Sequence, residues 1–217
     1  MRWNLNWFIR TLGSSIGKKL MMALTGLGFC IFLIGHLAGN LTIFAGKDAF
    51  NSYVERLHTL GPLINLAEIG LLFFAVVHVF TGIYLFYENF RARPKRYMMK
   101  INTGGRTIAS GTMPYTGFFI LFFVIFHLID FHFVDKTDRT IYQIALDIFS
   151  NPGYASFYIV AMAIVATHVS HGFWSAFQTL GSNHSEYMPL LRVIGTIFSL
   201  AVAFGFGFIP VYISFIS

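Results

Sequence analysis

From Leu20 to Phe44 the chain runs for 25 residues without a formal charge, directly after the pair Lys18-Lys19. About 20 apolar residues, at about 1.5 Å rise each, cross a hydrocarbon core of about 30 Å, so this run reads as a membrane-spanning helix. It is too long for the apolar region of a secretory signal, and no small-residue cleavage site follows it. Gly26, Gly28, Gly35, Ala38 and Gly39 keep the side-chain bulk low, which lets another group approach the backbone. One ionisable ring, His36, lies inside the run. An ionisable group within a span is a functional candidate by default.

The rest of the chain has the same character. Of 217 residues 56% are hydrophobic and 11% charged, with a mean hydropathy of +0.66. A soluble domain carries about a quarter charged residues, so the chain is expected to be an integral membrane protein. The expected fold is all-α, one five-helix membrane bundle over residues 1–217, with spans at about 19–44, 62–88, 114–132, 154–178 and 190–215. A basic, aromatic lead (Arg2, Trp3, Trp7, Arg10) precedes the first span. Residues 46–61 place Phe50, Tyr53, Val54, Leu57 and Leu60 at helical spacing, the pattern of a short amphipathic helix on the membrane surface. A second such segment holds Ile141, Ile144, Ile148 and Phe149. The single cysteine, Cys30, excludes a disulfide framework, a structural zinc site and a cysteine-ligated iron–sulfur cluster. The net charge of +6 comes from residues flanking the spans, which reads as topology and contact with anionic lipid, not nucleic acid.

Five spans put the termini on opposite sides. The N-terminal segment, the polar loop at 89–112 and the loop before the last span carry eleven of the fifteen Lys and Arg residues. The positive-inside rule then puts the N-terminus in the cytoplasm and the C-terminus outside.

Position and direction together sort the histidines. The first and third spans run outward, and His36 and His127 lie in their outer halves. The second and fourth run inward, and His78 and His168 lie in their inner halves. Four spans thus give two pairs at two depths, His36 with His127 and His78 with His168. One neutral imidazole from each of two facing helices is the axial ligation of a low-spin b-type haem, and two haems b are expected. Gly35 and Gly39 beside His36, Gly82 near His78, Gly117 in the third span and Gly172 near His168 would give the macrocycle room. Intramembrane histidines also serve as helix–helix hydrogen-bonding residues and proton relays. A dinuclear metal site would want carboxylates, which the third and fourth spans lack near their histidines. His171, three residues after His168, is either the ligand itself or a partner for a haem propionate. Lys19 is a second propionate candidate. His132 beside Asp130 reads as interfacial.

At these residues the chain resembles a known family: the cytochrome b558-type, di-haem, five-helix membrane anchor of succinate dehydrogenase and quinol:fumarate reductase (complex II). The resemblance covers nearly the whole chain. It is carried by Ser15-Ile16-Gly17-Lys18-Lys19, Ala23-Leu24-Thr25-Gly26, Gly35-His36-Leu37-Ala38-Gly39-Asn40-Leu41 and His168-x-x-His171-Gly172 leading to Gln178-x-Leu180-Gly181, with histidine spacings of 42, 49 and 41 residues. It implies that His78 and His168 hold a proximal haem near an iron–sulfur subunit, and His36 and His127 a distal haem near the outer face. It implies flavoprotein and iron–sulfur partners on the cytoplasmic side of a bacterial inner membrane, with no dicarboxylate chemistry on this chain. It also implies a quinone substrate, of menaquinone type, near the distal haem, where Asn40, His58 and Glu68 supply polar groups. The basic loop at 89–106 would be the docking surface. Some fumarate-reducing members place a glutamate shortly before the fourth-span ligand; here those positions are Ala163 to Thr167, so a proton route of that kind is not expected. The rival readings are a cytochrome b of another quinone-linked dehydrogenase or hydrogenase, and a haem-free transporter using the histidines as relays.

Overall fold

A computed structural model describes residues 5–92 and 107–216, with side chains from Ile9 onward. Arg2, Trp3, the Trp7 side chain and the loop cations Arg93, Lys95, Arg96, Lys100 and Arg106 lie outside the described residues. All regular structure among the described residues is helical. Helix α1 (Leu5–Gly13) leads into α2 (Ser15–Asn40) and a 3-10 turn (Leu41–Ala45). Then come α3 (Lys47–Thr59), α4 (Pro62–Arg91), α5 (Ile108–Phe131), α6 (Ile141–Phe149), α7 (Pro152–Thr179) and α8 (Tyr187–Ile216). Five of these, α2 with its 3-10 turn, α4, α5, α7 and α8, are long and apolar enough to cross a membrane. The chain is a multi-pass membrane protein.

Local chemistry sets where the helices begin. Ser14 accepts from the Gly17 amide at the start of α2, and Asn151 accepts from Gly153 and Tyr154 where Pro152 opens α7. Reciprocal capping boxes, Thr107 with Ser110 and Thr140 with Gln143, start α5 and α6. The Thr107 box explains a difference from the sequence-based boundary. Pro114 does not open the third span but lies inside α5, because the cap starts the helix six residues earlier.

Helices α2, α4, α5 and α7 close into a ring, and α8 backs onto α7 in the most extensive helix pair. Glycines of α8 face side chains of α7 there, Gly195 against Phe173 and Gly207 against Met162. Such residues let membrane helices approach closely, where packing takes over from the hydrophobic effect. Helix α4 is peripheral, with Leu66, Ile69, Phe73 and Phe80 on the exterior where lipid would lie. The amphipathic helices α3 and α6 pack on each other, with Phe50 and Tyr142 ring centres 6.4 Å apart. On α3, Phe50 is buried while Leu57 and Leu60 remain exposed. Gly39 has a different use from the one expected. A Cβ at that position would overlap the Tyr53 ring, so the notch seats α3 against α2 and is not free for a macrocycle.

Candidate functional site

The helix ring brings four histidines together as two pairs. His36 on α2 and His127 on α5 have ring centres 5.9 Å apart, and His78 on α4 and His168 on α7 have ring centres 6.4 Å apart. Two imidazoles bound to opposite sides of one first-row metal ion would sit about 6.5 Å apart, taking metal–nitrogen bonds of about 2.0–2.1 Å and ring radii of about 1.2 Å. Both pairs meet that spacing, with ring planes 83° and 64° apart. No three His, Cys, Asp or Glu side chains converge among the described residues, so each pair brings two imidazoles together without a third such group.

The helix register gives the separation of the two pairs. Thr25 touches His78, and His36 lies eleven residues further along α2; Thr116 touches His168, and His127 lies eleven residues further along α5. Eleven residues rise about 16 Å. Helix α7 agrees, since Tyr158, whose ring centre is 6.2 Å from that of His127, precedes His168 by ten residues. Between the levels, α2 and α5 carry only Gly, Cys and apolar residues, over 26–35 and 117–126.

The surroundings of the two pairs differ. In the inner pair, Nδ1 of His78 lies 3.0 Å from Thr25 Oγ1 and Nδ1 of His168 lies 3.0 Å from Thr116 Oγ1. Gly26 and Gly117 lie beside these rings: a Cβ on Gly26 would come 3.4 Å from His78 Cε1 and one on Gly117 3.5 Å from His168 Cε1, ordinary contact distances. In the outer pair, His36 stacks on Phe32 with ring centres 5.0 Å apart and also meets Phe206. His127 sits among Phe123, Phe131 and Tyr158, and its buried Nδ1 has no hydrogen-bond partner among the described residues. Gly35, beside His36, is exposed, and a Cβ there would meet nothing within 4 Å. Tyr158 is buried and donates a 2.6 Å hydrogen bond to Asp130 Oδ2, one turn past His127.

The remaining candidates are scattered. His171 also has a buried Nδ1 without a partner among the described residues, and its ring meets Trp174, over which Arg192 stacks. Lys19 is exposed and lines a cleft of about 630 Å³ with Ser15, Tyr84 and Glu88. It is Lys18 that pairs with Glu88, at 2.9 Å, and lies over the Tyr84 ring. Asn40 donates to the His36 carbonyl at 2.8 Å, and its amide nitrogen is 3.4 Å from His36 Nδ1. His58 is exposed near the end of α3. Glu68, half exposed on α4, lies 3.8 Å from His132 Nδ1 on α5. No hydrogen bond or ion pair joins Asn40, His58 and Glu68 to one another among the described residues. His132 therefore faces Glu68 as well as neighbouring Asp130 in sequence.

Sequence reasoning missed Thr25 and Thr116 as functional side chains. A signal was present: each begins a Thr-Gly dipeptide eleven residues before an outer histidine.

Over 154 residues, 70% of this chain, the sequence is 29% identical to the succinate dehydrogenase cytochrome b558 subunit of Bacillus subtilis (strain 168), covering 72% of that protein. No protein-family profile and no solved structure matches the chain.

Proposed function

We propose that this chain is the di-haem cytochrome b anchor of a succinate dehydrogenase or fumarate reductase complex, passing electrons between an iron–sulfur subunit and a membrane quinone. The observation that carries the proposal is the meeting of His36 with His127 and of His78 with His168 at axial-ligand spacing, on two levels about 16 Å apart. The similarity to the Bacillus subtilis subunit supports the same reading. Each haem, when bound, would supply a one-electron ferric/ferrous couple at its level of the membrane.

This chain's own residues would do the rest. His78 and His168 hold the inner group, and His36 and His127 the outer one. The apolar stretches between the levels keep water and protons out while leaving the distance short enough for electron passage. The same stretches speak against a histidine proton relay, which would need polar side chains or water across that gap. At the outer end Glu68, with His132 beside it, is placed to take up or release quinone protons, as general acid–base groups do. The soluble partners would dock at the cytoplasmic side, at the end of α4 that carries Arg91, and the C-terminus would face outward.

The test is a reduced-minus-oxidised spectrum and a haem assay on the purified full chain. Two low-spin b haems per chain are expected. One haem or none in fully loaded material would refute the reading, and co-purification with soluble subunits of a different dehydrogenase would reassign its partner.

A further inference from the structure

We infer that Thr25 and Thr116 are positioning residues that fix the tautomer of the inner histidines, holding the proton on Nδ1 and leaving the Nε2 lone pair for a metal. The inference rests on the inner pair being a haem site. Thr25 Oγ1 lies 2.7 Å from the Met21 carbonyl oxygen and 3.2 Å from that of Met22. Thr116 Oγ1 lies 3.2 Å from the Thr112 carbonyl oxygen and 3.1 Å from that of Met113. A carbonyl can only accept, so the proposal assigns each hydroxyl proton to its own helix backbone, the usual arrangement for a mid-helix threonine. What remains at 3.0 Å from each Nδ1 is an oxygen lone pair. The ring nitrogen must then be the donor. A second contact of this kind sets the ring orientation and raises the basicity of the ligating nitrogen, and its loss typically costs about 10–100-fold in metal affinity.

The arrangement occurs twice. Thr25-Gly26 is followed by His36 and reaches His78, 53 residues on; Thr116-Gly117 is followed by His127 and reaches His168, 52 residues on. The correspondence extends to His78-Val79-x-x-Gly82 and His168-Val169-x-x-Gly172, and to a cation over the ring six residues after each histidine, Lys18 over Tyr84 and Arg192 over Trp174. One threonine beside one histidine could be a packing coincidence. Two in corresponding positions, each followed by a glycine that lies beside the same ring, form a built clamp with related halves.

Thr25→Val and Thr116→Val keep the side-chain shape and delete the acceptor, while Thr25→Ser and Thr116→Ser keep the acceptor. Redox titration of the purified full chain is expected to raise the inner haem's midpoint in the valine variants. The expected change is about tenfold in the ferric/ferrous ratio, or about 59 mV for a one-electron couple. The outer midpoint should stay put and the serine variants should match the parent. Valine variants with both haems bound and an unmoved inner midpoint would overturn the inference. If a valine variant loses the inner haem, its return in the matching serine variant upholds the clamp, and its absence there overturns it. Heteronuclear NMR of the haem-depleted chain reads the tautomer directly. Nδ1–H on His78 and His168 is expected in the parent, and Nε2–H there refutes the clamp. A parent chain that never binds haem ends the haem reading, and the NMR measurement still decides what the threonines do.

Discussion

The inner and outer histidine pairs belong to one four-helix ring, on α4 and α7 and on α2 and α5, and their ring spacings differ by only half an ångström, yet their rings are held by different means. His78 and His168 are steered by hydroxyl oxygens reaching across from neighbouring helices, contacts that fix both ring direction and proton position. His36 and His127 are held between aromatic faces, and the amide nitrogen of Asn40 lies 3.4 Å from His36 Nδ1. Stacking fixes the plane of a ring but does not choose its tautomer. The inner site is thus organised by directional bonds before any ligand arrives. The outer site is organised by packing, with His127 Nδ1 left without a partner among the described residues.

Four kinds of substitution would break or sharpen this contrast. The largest effect is expected from removing a ligand. His36→Ala or His127→Ala should abolish the outer haem signal and spare the inner one, His78→Ala or His168→Ala should do the reverse, and quinone-linked turnover should vanish in all four. Loss of the opposite signal would mean the pairs are assigned to the wrong levels. Next in size, Glu68→Gln should lower quinone-linked turnover by roughly 10²-fold, the scale of a lost acid–base group. Haem content and dye-linked activity of the soluble partners should survive; unchanged turnover would move the quinone site away from Glu68 and His132. Smaller still, Tyr158→Phe deletes the hydrogen bond to Asp130 and should cost about 1–2 kcal/mol of stability, read as a lower thermal midpoint. It should perturb the outer haem spectrum and leave the inner one alone. Last, His171→Ala should leave both haems low-spin, and a high-spin inner signal would transfer the ligand role from His168 to His171.

Depth along the membrane could be read from the chain, whereas rotation of each helix could not. Which histidines meet follows from their place within each span and from the alternation of direction, both of which hydropathy reveals. Their role as ligands is the proposal above. The face that a helix turns inward is a different matter. Lipid and protein interior are both apolar, so α4 and α5 carry no amphipathic stripe from which a rotation could be taken. For that reason the contacts of Thr25 and Thr116 with the inner rings were invisible, as was the use of Gly39 as a notch for Tyr53. The approach of His132 to Glu68 depended on the same hidden angle. Pro114 misled for a local reason, because a proline is tolerated inside α5 once a capping box two turns upstream has started the helix.

Each histidine pair takes one ring from the first half of the chain, α2 or α4, and one from the second half, α5 or α7. During synthesis the chain emerges N-terminus first, so the outer pair is complete only once α5 is in the bilayer, and the inner pair only once α7 has followed. The first helical hairpin must therefore persist through its own contacts, the Lys18–Glu88 bridge, the Thr25–His78 bond and the Phe29–Phe74 edge contact among them. Any group later seated between the pairs would act as a clasp joining two hairpins that enter the membrane at different times.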